Sequence, residues 1–151
     1  MTFYRRNLPH IQRGTTPLFI TFCTAKNVKL GPAARTVVLE HCLVGNTKFF
    51  ELHAAVILTN HAHLLFSPLL DANAEPYTIA RIMKGIKGAS ARAVNRLMRD
   101  SGSVWQDESF DHLVRTEAEF DYHYTYILQN AGEVVSSSNP YDYDWLWTPG
   151  K

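Results

Sequence analysis

The chain has 151 residues, 46% of them hydrophobic and 19% charged, with a formal net charge of +1. That balance excludes a disordered chain and a globally basic one, and the length suits one domain, residues 1–151, burying roughly 70% of the surface its unfolded form exposes. Cys23 and Cys42 lie far apart in hydrophobic surroundings, as reduced thiols do, and with no apolar signal segment and no 18-residue apolar run the expected location is the cytoplasm, with no membrane partner.

Residues 1–17 form a basic arm carrying Arg5, Arg6 and Arg13, punctuated by Pro9, Gly14 and Pro17. Residues 18–24 (LFITFCT) are β-branched and aromatic, a buried strand. Pro32 sits where the first position of a helix favours proline, and Val37, Val38, Leu39 and Leu43 carry that helix to about residue 44. Residues 49–58 form a second strand, Thr59 and Asn60 supply turn chemistry, and residues 61–66 return as a third strand that Pro68 stops. From 78 to 99 the pattern is helical, with Ile79, Ile82, Ile86, Ala89, Ala93 and Leu97 on one side. Gly85 and Gly88 weaken this helix and mark a bend or a close approach. Residues 110–115 are a short fourth strand. Thr116, with Glu119 three residues on, is a capping box that opens a last helix reaching about residue 130. The tail after Gly132 is loop-like. The order strand, helix, hairpin, helix, strand, helix predicts an α+β fold, a ferredoxin-like antiparallel sheet with the helices packed on one face.

Within this frame the segment LTNHAHLLF, residues 58–66, sets His61 and His63 one residue apart. On a strand, alternate side chains share a face, so the two rings stand side by side while Ala62, Leu64 and Phe66 enter the core. Two imidazoles can share one divalent ion, but a site needs at least a third ligand. On the last helix, Phe120, Tyr124, Ile127 and Leu128 make the core stripe, leaving Tyr122, His123, Tyr126 and Asn130 on a neighbouring one. Asn130, one turn from Tyr126, offers an amide oxygen as a hard ligand, and the phenol could reach a substrate atom held by the same metal. The same residues also fit histidines with structural roles and tyrosines at a core boundary. Opposite the apolar side of the middle helix lie Arg81, Lys84, Arg92, Arg96 and Arg99, joined by Lys87, with no acidic residue between 81 and 99. This is either a solvated face or a phosphate-binding one.

The segments Asn60-His61-Ala62-His63-Leu64-Leu65, Trp105-Gln106-Asp107-Glu108-Ser109-Phe110-Asp111-His112, Arg115 and Tyr126-Ile127-Leu128-Gln129-Asn130, taken in order, resemble the successive signatures of the IS200-like single-tyrosine transposases, the HUH nucleases. With Tyr4-Arg5-Arg6-Asn7-Leu8-Pro9-His10, the chain is most similar to the REP-associated members. Thr59 departs from the family's usual proline, Ala131 follows Asn130 where Asn-Pro is usual, and the family's tail motif is only faintly echoed by Trp145 and Trp147.

The resemblance implies a metal site of His61, His63 and Asn130 holding Mg²⁺ or Mn²⁺, and Tyr126 as the nucleophile. The implied activity is cleavage and rejoining of single-stranded DNA through a covalent 5′-phosphotyrosine. Its partner would be DNA with a repetitive palindromic hairpin, bound by Arg5, Arg6, Arg81, Lys84, Lys87, Arg92, Arg96 and Arg99, and the protein would act as a monomer or homodimer. Two other readings use fewer of these features. A domesticated, non-cleaving binder of DNA or RNA hairpins would need only the fold and its basic face. A metal hydrolase unrelated to DNA would leave the phenol and the basic helix without purpose.

Overall fold

A computed structural model describes residues 15–151. The basic arm, with Arg5 and Arg6, falls almost wholly outside the described residues. The elements run β1 (Leu18–Thr24), α1 (Pro32–Val44), β2 (Phe50–Ile57), β3 (His61–Pro68), α2 (Ile79–Met98), β4 (Trp105–Leu113) and α3 (Glu117–Glu133), then a 3₁₀ turn (Pro140–Asp142) and β5 (Leu146–Trp147). The sheet order is β4-β1-β3-β2-β5, and every pairing is antiparallel. The first four strands with α1 and α2 make the βαββαβ arrangement of a ferredoxin-like sheet.

Alternation along β1 sorts the two faces. Leu18, Ile20 and Phe22 point to the face that carries α1 and α2, where they meet Ala62, Leu64 and Phe66 of β3, Val38 and Cys42 of α1, and Ile82 and Ile86 of α2. Phe19, Thr21 and Cys23 point to the other face. There α3 buries Phe120, Tyr124, Ile127, Leu128 and Ala131 against Ala54, Val56 and Leu65. The antiparallel sheet and its α1/α2 layer match the expectation, while α3 departs from it by covering the opposite face. The reason is legible in β2 and β3, which are almost wholly buried: strands apolar on both faces need cover on both.

Further expectations change. The tail folds back, and Leu146 and Trp147 pair with Val56 and Ala55 as a fifth strand, supported by Ile57 N–H donating to Trp145 O at 3.0 Å. The fourth strand starts five residues earlier than expected, at Trp105, whose indole N–H donates to the buried Ser90 Oγ of α2 at 3.0 Å. Ser90 thereby belongs to the buried stripe of α2, which is Ile82, Met83, Ile86, Ser90 and Val94, and Leu97 is left exposed. No close approach marks the glycines, since a Cβ at Gly85 would meet nothing within 4 Å and one at Gly88 would meet only the Arg92 guanidinium at 3.5 Å. Among the described residues no helix is long and apolar enough to cross a membrane.

Candidate active site

β3 delivers His61 and His63 to the α3 face with their ring centroids 4.8 Å apart. α3 starts where Thr116 Oγ1 accepts from Glu119 N–H at 3.1 Å, while Glu119 Oε1 accepts from Arg115 N–H at 2.6 Å. This fixes the helix so that its second turn onward passes over β2 and β3. Tyr126 then stands with its ring edge-on to His63, centroids 5.3 Å apart, inside a single chain. The Tyr126 ring is partly open to solvent. One turn on, the Asn130 side-chain amide donates to Tyr126 O at 2.8 Å, and among the described residues Oδ1 has no hydrogen-bond partner. His61 and Asn130 line one cleft of about 570 Å³ together with Arg35, Tyr143 and Trp145.

Each histidine is oriented by a neighbour that composition alone does not reveal. His61 Nδ1 lies 2.7 Å from Asn60 Oδ1, a pure acceptor, so Nδ1 carries the proton and Nε2 keeps its lone pair. Thr21, the cross-strand partner of His63 on β1, places its Oγ1 2.8 Å from His63 Nδ1. His63 Nε2 is buried with no hydrogen-bond partner among the described residues. Burial, reinforced by the nearby His61 ring, pulls the His63 pKa down to about 4, and burial lowers that of His61. Both rings are therefore neutral near pH 7, the form that ligates metals.

This set fits a divalent cation. An orphaned imidazole nitrogen in a buried position is costly unless something accepts its lone pair, and second-sphere bonds from the other ring nitrogen are the usual way a ligating histidine is held. Among the described residues no three His, Cys, Asp or Glu side chains gather closely enough to hold a metal by themselves. Asn130, which lines the same cleft as His61, carries an amide oxygen that is the candidate third donor.

Phe19 lies at the centre of the site, a position the sequence does not single out. Its ring stacks on His63 at 5.3 Å and on His123 at 4.4 Å, and meets Tyr126 edge-on at 5.9 Å. His123 in turn touches Tyr122 at 5.2 Å and His112 at 5.0 Å. His112 belongs to this ring cluster and lies on the far side of it from His61 and His63. The basic residues of α2 stand on the other face of the sheet. Arg81, Lys84, Arg92, Arg96 and Arg99 are exposed. Lys87 differs, because its ammonium donates to Gln106 O, Asp107 O and Ser109 Oγ of β4.

Comparisons with known proteins address the frame. No protein-family model matches the chain. A stretch of 94 residues is 31% identical to the formate–tetrahydrofolate ligase of Sinorhizobium fredii (strain NBRC 101917 / NGR234), covering 61% of this chain but 17% of that protein. So small a share of the ligase brings no activity with it. In three dimensions the chain resembles a REP-associated tyrosine transposase bound to a REP hairpin, with a TM-score of 0.69 over 97% of this chain and 82% of the other at 18% identity. It also resembles a candidate transposase from Deinococcus radiodurans R1, with a TM-score of 0.52 over 74% of this chain and 88% of the other at 17% identity. At the level of the fold, the likeness suggested by the sequence motifs holds: this chain is built on the α+β frame of the tyrosine transposases.

Proposed function

We propose that the protein is a divalent-metal-dependent transposase-type nuclease that nicks and rejoins single-stranded DNA through Tyr126. The observation that carries this reading is the Tyr126 ring 5.3 Å from His63 within one chain, with the His61 ring 4.8 Å from that of His63 and Asn130 one helical turn on from Tyr126. A metal hydrolase would have no use for a partly exposed phenol at that position.

His61, His63 and Asn130 would hold Mg²⁺ or Mn²⁺, which when bound supplies charge neutralisation at a non-bridging phosphate oxygen. The remaining work belongs to the chain. Tyr126 Oη attacks the phosphorus, the new O–P bond forms as the P–O3′ bond breaks, the phenol gives up its proton and the departing 3′ oxygen gains one. The product is a 5′-phosphotyrosine and a free 3′-hydroxyl. Since a phosphodiester is conserved, an incoming 3′-hydroxyl reverses the exchange and joins strands without ATP. With tyrosine and histidines meeting inside one chain, a monomer suffices for the chemistry.

The partner on this reading is single-stranded DNA bearing a hairpin, as in the structural neighbour described as bound to a REP hairpin. Arg81, Lys84, Arg92, Arg96 and Arg99 supply the phosphate-binding face, and the expected contribution of Arg5 and Arg6 lies outside the described residues. The test is an incubation of labelled hairpin-bearing oligonucleotides with Mn²⁺, followed by denaturing gel analysis. Wild type yields an SDS-resistant adduct and Tyr126→Phe yields none. An undiminished adduct in that variant refutes the assignment, while DNA binding with no adduct in either protein identifies a non-cleaving binder.

A further inference from the structure

We propose that Phe110 on β4 forms a binding subsite for an unpaired nucleobase next to the Tyr126 site. This inference rests on the proposed single-strand nuclease function. It names where the strand leaving the site is held.

Phe110 is 78% exposed, the most exposed of the large hydrophobic side chains among the described residues. It pairs with Thr21 across β1, and Thr21 pairs with His63 across β3. Phe110, Thr21 and His63 thus form one cross-strand row on the α3 face, which puts Phe110 two strands, roughly 10 Å, from His63. His112, the next β4 residue on that face, joins the ring cluster through His123 and is exposed. The row runs from a partly open phenol to an aromatic face that, among the described residues, has no helix above it.

The surroundings identify the occupant. The exposed cations of α2 lie on one face of the sheet and Tyr126 on the other, with β4 as the edge strand on the α2 side. Lys84 and Lys87 of α2 line a cleft against β4 with Trp105 and Asp107. Arg81 and Arg92 line a cleft on the other flank of α2 with Phe49 and Tyr77, so it is a polyanion held at Lys84, on the β4 side of α2, that would reach Tyr126 by crossing β4. The rim itself is acidic, with Asp107, Glu108 and Asp111 all exposed, so a strand crossing there turns its phosphates outward and its bases inward. Every base has a π-face that stacks on an aromatic side chain regardless of sequence. A second copy of this chain pairing along the same edge fits less well, because Lys87 already engages the Gln106 and Asp107 carbonyls.

The test uses the full chain with short single-stranded oligonucleotides, reading affinity by anisotropy and oligomeric state by sedimentation. Its exposure means that Phe110→Ala removes little packing. Expected are a loss of single-strand affinity of roughly 10- to 100-fold in Phe110→Ala, recovery in Phe110→Tyr, and DNA-dependent quenching of the added indole in Phe110→Trp. Unchanged affinity in Phe110→Ala overturns the proposal, as does a wild-type dimer that Phe110→Ala dissolves, or a wild type that binds no single strand. The adduct assay on Tyr126→Phe reports separately on the nuclease reading: an intact tyrosine-dependent adduct with unchanged Phe110→Ala affinity would sink the subsite alone.

Discussion

Thr21 contributes a hydroxyl where a valine would pack as well, and it spends that hydroxyl on His63. A ligating imidazole swings about χ1 and χ2 unless its second nitrogen is tied down, so an outer partner fixes both the ring plane and the tautomer. Thr21→Val keeps the β-branched shape and removes only the oxygen. Calorimetric titration of the metal-free protein should then show Mn²⁺ affinity lowered about 10- to 100-fold, the range for losing such a partner. Unchanged affinity would mean that His63 is held by its stacking on Phe19 alone. His61 and His63 are visible in the sequence because an i, i+2 pair on a strand must share a face. Thr21 and Phe19 are not, because their place depends on the register of β1 against β3, which no local pattern states. His123 shares a helix stripe with Tyr126, but its neighbours across the sheet are not written in that spacing.

At the scale of the element, α3 matters because it carries Tyr126 and Asn130, and its first turn sets where they land. The Thr116 and Glu119 bonds satisfy backbone N–H groups that the helix start leaves without partners, and the carboxylate also complements the helix dipole. The Arg115 N–H bond is the main cause holding the Glu119 carboxyl below its usual range. A depressed carboxylate pKa contributes stability that is present above the unfolded-state value of 4.5 and lost as pH falls through the folded one. Wild type should therefore be more stable than Glu119→Gln by a constant margin at neutral pH in urea titrations, and the margin should close as the pH drops below 4.5. Thr116→Ala, which removes an uncharged cap, should cost about 1 kcal/mol at every pH. Such starts are legible because capping is local chemistry, as is Pro32 opening α1. β5 is not, since two residues become a strand only by meeting Val56 and Ala55. The buried stripe of α2 departs from the apolar spacing because a buried serine looks polar until Trp105 is known to donate to it.

The whole molecule separates the cations of α2 from Tyr126 by the thickness of a sheet, which makes a quantitative demand on any nucleic acid that uses both. From Arg81 to Arg96 is roughly 22 Å along α2, enough to follow several phosphates on one face while the scissile one lies on the other. If α2 is the phosphate-binding face, replacing Arg81, Lys84, Arg92 and Arg96 by glutamine should flatten the plot of log affinity against log salt by about one unit for each phosphate-neutralising charge removed, and weaken different sequences alike. Lys87→Gln provides the internal contrast. Its ammonium is committed to two carbonyls and a hydroxyl of β4, and burial is the main influence lowering its pKa. The loss should therefore appear as about 1 kcal/mol of stability in urea titrations, with the salt slope intact. A slope equally steep in the fourfold variant would move the phosphates off α2 and onto the face of Tyr126. The acidic rim of β4 would then be a barrier beside the strand's path and no longer the edge it crosses.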